Sequence, residues 1–134
     1  MSRREAREEL FKLVFEAEVN ETPIETVVED YMGREELKVN ENGKTFITTY
    51  AKGLGENQDE VMAVLNNNIE GWSFERIGNI EKALLKISTY EILFQDTPAE
   101  IVINEAVELA KKYGDEKSYE FINGVLAKVV AKKN

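Results

Sequence analysis

The chain has 134 residues, with 17 lysines and arginines against 26 aspartates and glutamates and a formal charge of −9. The length suits one domain with a single core, and 43% hydrophobic with 32% charged residues is ordinary for a folded globular chain. With no long apolar run, no cysteine and no histidine, the composition argues against membrane spanning, secretion, thiolate chemistry and histidine-based proton transfer or metal binding, and suits a cytoplasmic protein.

The apolar positions recur at helical spacing from end to end, and no segment alternates with period two, which predicts an all-α fold of about seven helices. The first helix is expected from Arg3 to about Val19. On a helical wheel Ala6, Leu10, Leu13, Val14 and Ala17 share one arc and form its core stripe. Arg4, Arg7, Phe11 and Phe15 line one flank of that stripe, while Glu5, Glu9, Lys12 and Glu16 lie on the other side. Such a basic and aromatic line suits phosphate pairing and base stacking, and it equally suits a wide core face with a solubilising end.

Thr22-Pro23-Ile24-Glu25 predicts the next helix start, with threonine as N-cap, proline in the first turn and glutamate reaching back as a capping box. That helix runs to Met32 with Ile24, Val27, Val28 and Tyr31 on one face, and a polar linker follows from Gly33 to Gly43. Phe46, Ile47, Tyr50, Ala51 and Leu54 are spaced as a helix, with Gly53 and Gly55 placed to break or kink it before Val61, Met62, Leu65 and Ile69 resume the pattern.

Three helices complete the chain: Ile77 to Phe94, Pro98 to Tyr113, and Glu116 to about Lys132. In the first, Ile77, Ile80, Leu84 and Ile87 point one way and Glu91 falls on their line, so it reads as a buried structural carboxylate. Glu81, Leu85, Ser88 and Ile92 form an adjacent strip that fits either a partner surface or a wide core face. Thr97-Pro98-Ala99-Glu100 repeats the cap signal, Asn104 faces away from the core arc of its helix, and Glu108 and Lys112 stand four apart. Gly114 is expected to close this helix in the left-handed conformation and Asp115 to open the next. In the last helix Ile122, Val125, Leu126, Val129 and Val130 make the core stripe. Phe121, Lys117, Gly124 and Lys128 cluster away from it, and a glycine inside a helix points to the close approach of a neighbouring helix or a ligand.

The acidic balance argues against broad electrostatic capture of nucleic acid. Both ends are nevertheless basic: Arg3, Arg4 and Arg7 stand against Glu5 in the first seven residues, and Lys128, Lys132 and Lys133 follow Glu120 with no further acid. No glycine-rich phosphate loop or nucleophile elbow is present, so no catalytic residue, metal or cofactor is expected.

Between Ile80 and Val129 four strings stand in a fixed order: Glu81-Lys82-Ala83, Tyr90-Glu91-Ile92-Leu93, Ile103 to Lys111, and Phe121-Ile122-Asn123-Gly124-Val125-Leu126. Their order and spacing resemble the NusB family of bacterial transcription antitermination factors, and the resemblance extends through Trp72 to Arg76 and the arginine-rich start. It implies two small helical bundles packed together, within one RNA-binding domain over residues 1–134, with helical subdomains of about 1–72 and 73–134. It also implies joint binding of boxA-type single-stranded RNA with the ribosomal protein NusE, and read-through by RNA polymerase with other Nus factors, notably in ribosomal RNA operons. By resemblance Arg3, Arg4, Arg7, Phe15, Lys117, Phe121 and Lys128 are the RNA candidates, and Glu75, Glu81, Leu85, Ser88, Asn104 and Glu105 the partner candidates. Family members include monomers and homodimers. The alternative reading is a NusB-like module that acts through protein contacts with little RNA binding of its own. Here Glu5, Glu8 and Glu9 dilute the basic start, and Lys117 and Ala127 stand where members often carry other residues, acids among them.

Overall fold

The computed structural model describes residues 2–37, 39–69 and 73–133. Among them are seven α-helices and one 3-10 turn: α1 (Arg3–Asn20), α2 (Ile24–Met32), α3 (Glu41–Glu56), α4 (Gln58–Asn68), the turn Phe74–Arg76, α5 (Asn79–Phe94), α6 (Ala99–Tyr113) and α7 (Glu116–Lys133). Two compact units divide at Glu56 and Asn57, Met1–Glu56 and Asn57–Asn134. The division falls earlier than the boundary expected near Trp72, which itself lies outside the described residues. It falls there because α4 packs against α5 and α7.

In the first unit α1, α2 and α3 each pack on the other two. The expected stripe of α1 (Ala6, Leu10, Leu13, Val14 and Ala17) is buried, as are Val27, Val28 and Tyr31 of α2 and Ile47, Tyr50 and Leu54 of α3, the two helices α1 packs against. A capping box opens α1: the Glu5 amide donates to Ser2 Oγ at 3.1 Å and the Ser2 amide to Glu5 Oε1 at 3.0 Å. The Ser2 amide and then the Ser2 hydroxyl hold the Glu5 carboxyl below its ordinary value. The helix ends on Glu21 in the left-handed region, with φ 51°. That conformation is uncommon without glycine, and it lets the Thr22 amide reach the Ala17 carbonyl at 3.0 Å.

Helix α3 begins at Glu41, where Asn40 Oδ1 accepts the Gly43 amide at 2.9 Å, so the linker is shorter than expected. The helix also runs through both glycines that seemed placed to break it, and the break falls at Asn57. What lies against Gly55 is the flexible end of an exposed glutamate. A Cβ there would lie 1.9 Å from Glu25 Oε1 of α2.

In the second unit α5 packs against α4, α6 and α7. Three neighbours bury Ala83, Leu84, Leu85, Ile87, Ser88, Thr89, Tyr90, Glu91 and Ile92, far more than one amphipathic stripe. Glu91 is 1% exposed, as expected of a structural carboxylate. The two Thr-Pro helix starts differ from the predicted caps. Pro23 and Pro98 are themselves the capping residues, with ψ 139° and 135° and no side-chain cap. Their extended ψ moves each threonine one position out of the cap, and the Thr22 hydroxyl donates back to the Asn20 carbonyl at 3.2 Å. Gly114 is extended, not left-handed, at φ −106° and ψ −155°. Closeness explains the glycine here, since a Cβ would sit 2.8 Å from Ser118 Cβ and 2.9 Å from the Ala110 carbonyl.

Candidate nucleic-acid interface

Each unit gathers basic and aromatic side chains at one place. In the first unit the place is the start of α1 beside α3. The Arg3 guanidinium lies 5.0 Å from the centroid of the Phe46 ring and the Arg7 guanidinium 5.7 Å from the same centroid. Phe46 stacks on Tyr50 with centroids 4.2 Å apart, and Arg3 Nη2 donates to Tyr50 Oη at 3.4 Å. Arg3 and Arg4 are exposed, but Arg7 is only 6% exposed. Arg7 is therefore mainly a packing residue, because its guanidinium is folded over an aromatic ring of its own unit. Phe11 is buried at 3% and Phe15 half-buried, their rings 6.3 Å apart. The aromatic line of α1 thus divides, with Phe11 in the core and Phe15 at its edge.

Two of the acids that dilute this end have partners inside the unit. Glu5 closes the capping box, and Glu9 accepts from the Tyr31 hydroxyl at 3.2 Å and lies 3.5 Å from Lys12 Nζ. Burial, then the Glu9 charge and hydrogen bond, push the Tyr31 phenol up to about 12.

In the second unit a groove of about 310 Å³ opens at the start of α7, with Arg76, Glu81, Asp115, Lys117, Ser118 and Phe121 in its lining. Asp115 caps α7, accepting the Ser118 amide on Oδ1 at 2.9 Å. The Ser118 amide and hydroxyl, in that order, hold the Asp115 carboxyl below its ordinary value. The Ser118 hydroxyl lies 3.2 Å from Asp115 Oδ1 and 3.2 Å from Glu81 Oε1, which ties α5 to α7 at the groove floor. Lys117 and Arg76 are exposed at its sides, and Phe121 is half-buried. Beyond Phe121 on the same face come Gly124 and Lys128, both exposed. No neighbouring helix explains Gly124: a Cβ there would meet nothing within 4 Å. The groove lining thus combines an aromatic ring, two cations and two carboxylates.

The residues expected to bind a protein partner are scattered. Glu81 shares the groove with Lys117 and Phe121 instead of forming a separate surface. Leu85 and Ser88 are corrected to core positions, 0% and 4% exposed, since the α5 strip that carried them is covered by neighbouring helices. Glu75 is exposed beside Arg76, and on α6 Asn104 is exposed and Glu105 half-buried, outside the groove lining. The sequence reading missed Phe46, Tyr50 and Arg76. Phe46 and Tyr50 carry the same four-residue spacing as Phe11 and Phe15, and Arg76 stands within a string already singled out, so both signals were present.

The NusB family model matches residues 4–131. The transcription antitermination protein NusB of Fusobacterium nucleatum is 43% identical over 136 aligned residues, spanning 97% of this chain and 89% of that protein. The same-named protein of Pseudothermotoga lettingae is 41% identical, spanning 96% and 91%. The crystal form of T. maritima NusB superposes with a TM-score of 0.88 at 31% identity, covering 98% of this chain and 92% of that one. A crystal structure of NusB and NusE in complex with double-stranded RNA shares the fold at a TM-score of 0.79 and 23% identity, covering 97% and 96%. Family model, full-length relatives and fold agree, and the chain belongs to the NusB family.

Proposed function

We propose that this protein is a cytoplasmic transcription antitermination factor. It binds boxA-type single-stranded RNA together with NusE and promotes read-through by RNA polymerase with other Nus factors, and the reading gives it no catalytic step and no cofactor. The observation that carries it is the groove at the start of α7. On a molecule of charge −9, a half-buried phenylalanine shares the groove lining with exposed Arg76 and Lys117, and an exposed glycine opens the helix surface one turn further on. Cations pair with phosphates, a partly exposed ring takes a stacked base, and Glu81 and Asp115 offer acceptors to base amino groups. The relatives' name supports the antitermination role, and a NusB of the same fold has been crystallised with NusE and RNA. For the protein partner, exposed Glu75 and Asn104 and half-buried Glu105 are the candidate contacts.

The test is binding of a labelled boxA RNA and a scrambled control by anisotropy, each with and without purified NusE. Preference for boxA, strengthened by NusE, is the expected result. Equal binding to both RNAs in both settings would leave a module that works through protein contacts alone.

A further inference from the structure

The arginines that open α1 stand at an end of the helix that does not favour them. Arg3 and Arg4 occupy the first turn, where the helix dipole is positive and a cation is disfavoured. Arg3 is nonetheless held from two directions, by the Phe46 ring at 5.0 Å and by the Tyr50 hydroxyl at 3.4 Å. The holders are themselves fixed: Phe46 stacks on Tyr50 at 4.2 Å, and Tyr50 is 2% exposed in the core of its unit. Arg7, one turn on and nearly buried, lies over the same ring at 5.7 Å. One aromatic ring thus serves two guanidinium groups, one exposed and one nearly buried. The ring attracts both, while the two cations repel each other. An anion at the exposed guanidinium would meet the positive end of α1.

We propose that Phe46 and Tyr50 are positioning residues for RNA binding, fixing Arg3 as a preset phosphate contact with Arg7 as the second cation behind it. This rests on the RNA-binding reading above. A long side chain that is already ordered loses less freedom when it binds, and the planar guanidinium matches a phosphate with two parallel hydrogen bonds. Phe46 and Tyr50 then contribute to affinity through Arg3, without touching RNA.

The experiment is a double-mutant cycle on boxA RNA affinity with Arg3→Ala, Phe46→Leu and the combination, with melting temperatures alongside. Phe46→Leu is expected to weaken binding about two- to fivefold, the range of an exposed cation–π contact. In the Arg3→Ala background it should have no further effect. Phe46→Trp, which restores an aromatic face, should recover the affinity, and Tyr50→Phe should lose part of it, with affinity read on the folded fraction. Full additivity of Arg3→Ala and Phe46→Leu, or wild-type affinity in Phe46→Leu, overturns the proposal while leaving RNA binding intact. A wild-type protein that binds neither boxA nor scrambled RNA, with or without NusE, removes the RNA-binding reading and this proposal together.

Discussion

Phe121 and Arg7 show how two residues on similar helix faces part company once packing is known. Phe121 is half-buried at a groove, so Phe121→Ala should cost RNA affinity of about 1–3 kcal/mol, the value of a stacked base. Its cost in stability should stay below the roughly 3–5 kcal/mol of a fully buried phenylalanine. Anisotropy and thermal melting on one sample separate the two effects, and a collapse in melting temperature with unchanged affinity would return the ring to the core. Arg7 behaves in the opposite way. With 6% exposure and its guanidinium over Phe46, Arg7→Ala should lower the melting temperature, whereas exposed Arg4→Ala should leave it nearly unchanged. Tyr31 gives a test in alkali. Its folded pKa, about 12, lies above the ordinary 10.0, so the folded state keeps a proton that the unfolded chain releases. That contribution is complete below pH 10.0 and is lost as the pH rises towards about 12. Urea midpoints should therefore fall across this window in the wild type and fall less in Tyr31→Phe. The wheel placed all these residues on faces, but a face does not reveal what covers it. Leu85 and Ser88 were misread for that reason.

At the scale of elements, periodicity located every helix, because the core stripes of α1, α2, α5 and α7 are long and regular. Helix ends were less legible. A Thr-Pro string says that a helix begins nearby, but the ψ of the proline decides which residue caps it, and both prolines here are extended. Spacing along one helix also could not show that Gly55 faces Glu25 or that Gly114 faces Ser118, since both contacts reach across a turn or between helices. The α7 start was read correctly, and it carries a prediction. Asp115→Ala should lower the melting temperature by removing the acceptor for the Ser118 amide and should loosen the groove floor that Ser118 joins to Glu81. Because the Asp115 pKa is depressed, its contribution is present above its ordinary value of 3.8 and is lost as the pH falls through the lower folded value. The deficit of the variant should therefore shrink in acid. A deficit that does not change with pH would assign the loss to something other than the carboxylate.

For the molecule as a whole, composition and periodicity sufficed for the all-α class, and four strings in fixed order sufficed for the family. The division at Asn57 was not legible, because nothing in the sequence of α4 says which neighbours it will pack against. Charge acts at this scale too. A molecule at −9 repels RNA at long range, yet beyond about 8 Å that repulsion is largely screened at physiological salt, so local cations govern contact. With roughly three to five phosphate contacts, the logarithmic salt slope for single-stranded RNA should lie near −2 to −4. A titration with potassium chloride measures it directly. A slope near zero would mean that arginines and lysines do not carry the binding.

The empty space above Gly124 makes that position a ruler. A Cβ there meets nothing within 4 Å, so alanine fits without a clash, and Leu and Trp extend the exposed side chain step by step from that open position. Alanine should stabilise the free protein by about 0.5–1 kcal/mol, because it relieves the entropy cost of a helical glycine. Whatever affinity is lost along the series then reports only the thickness of the gap between α7 and its ligand. A drop already at alanine would place the ligand in contact with the helix backbone, and a drop first at tryptophan would place it a side chain's length away.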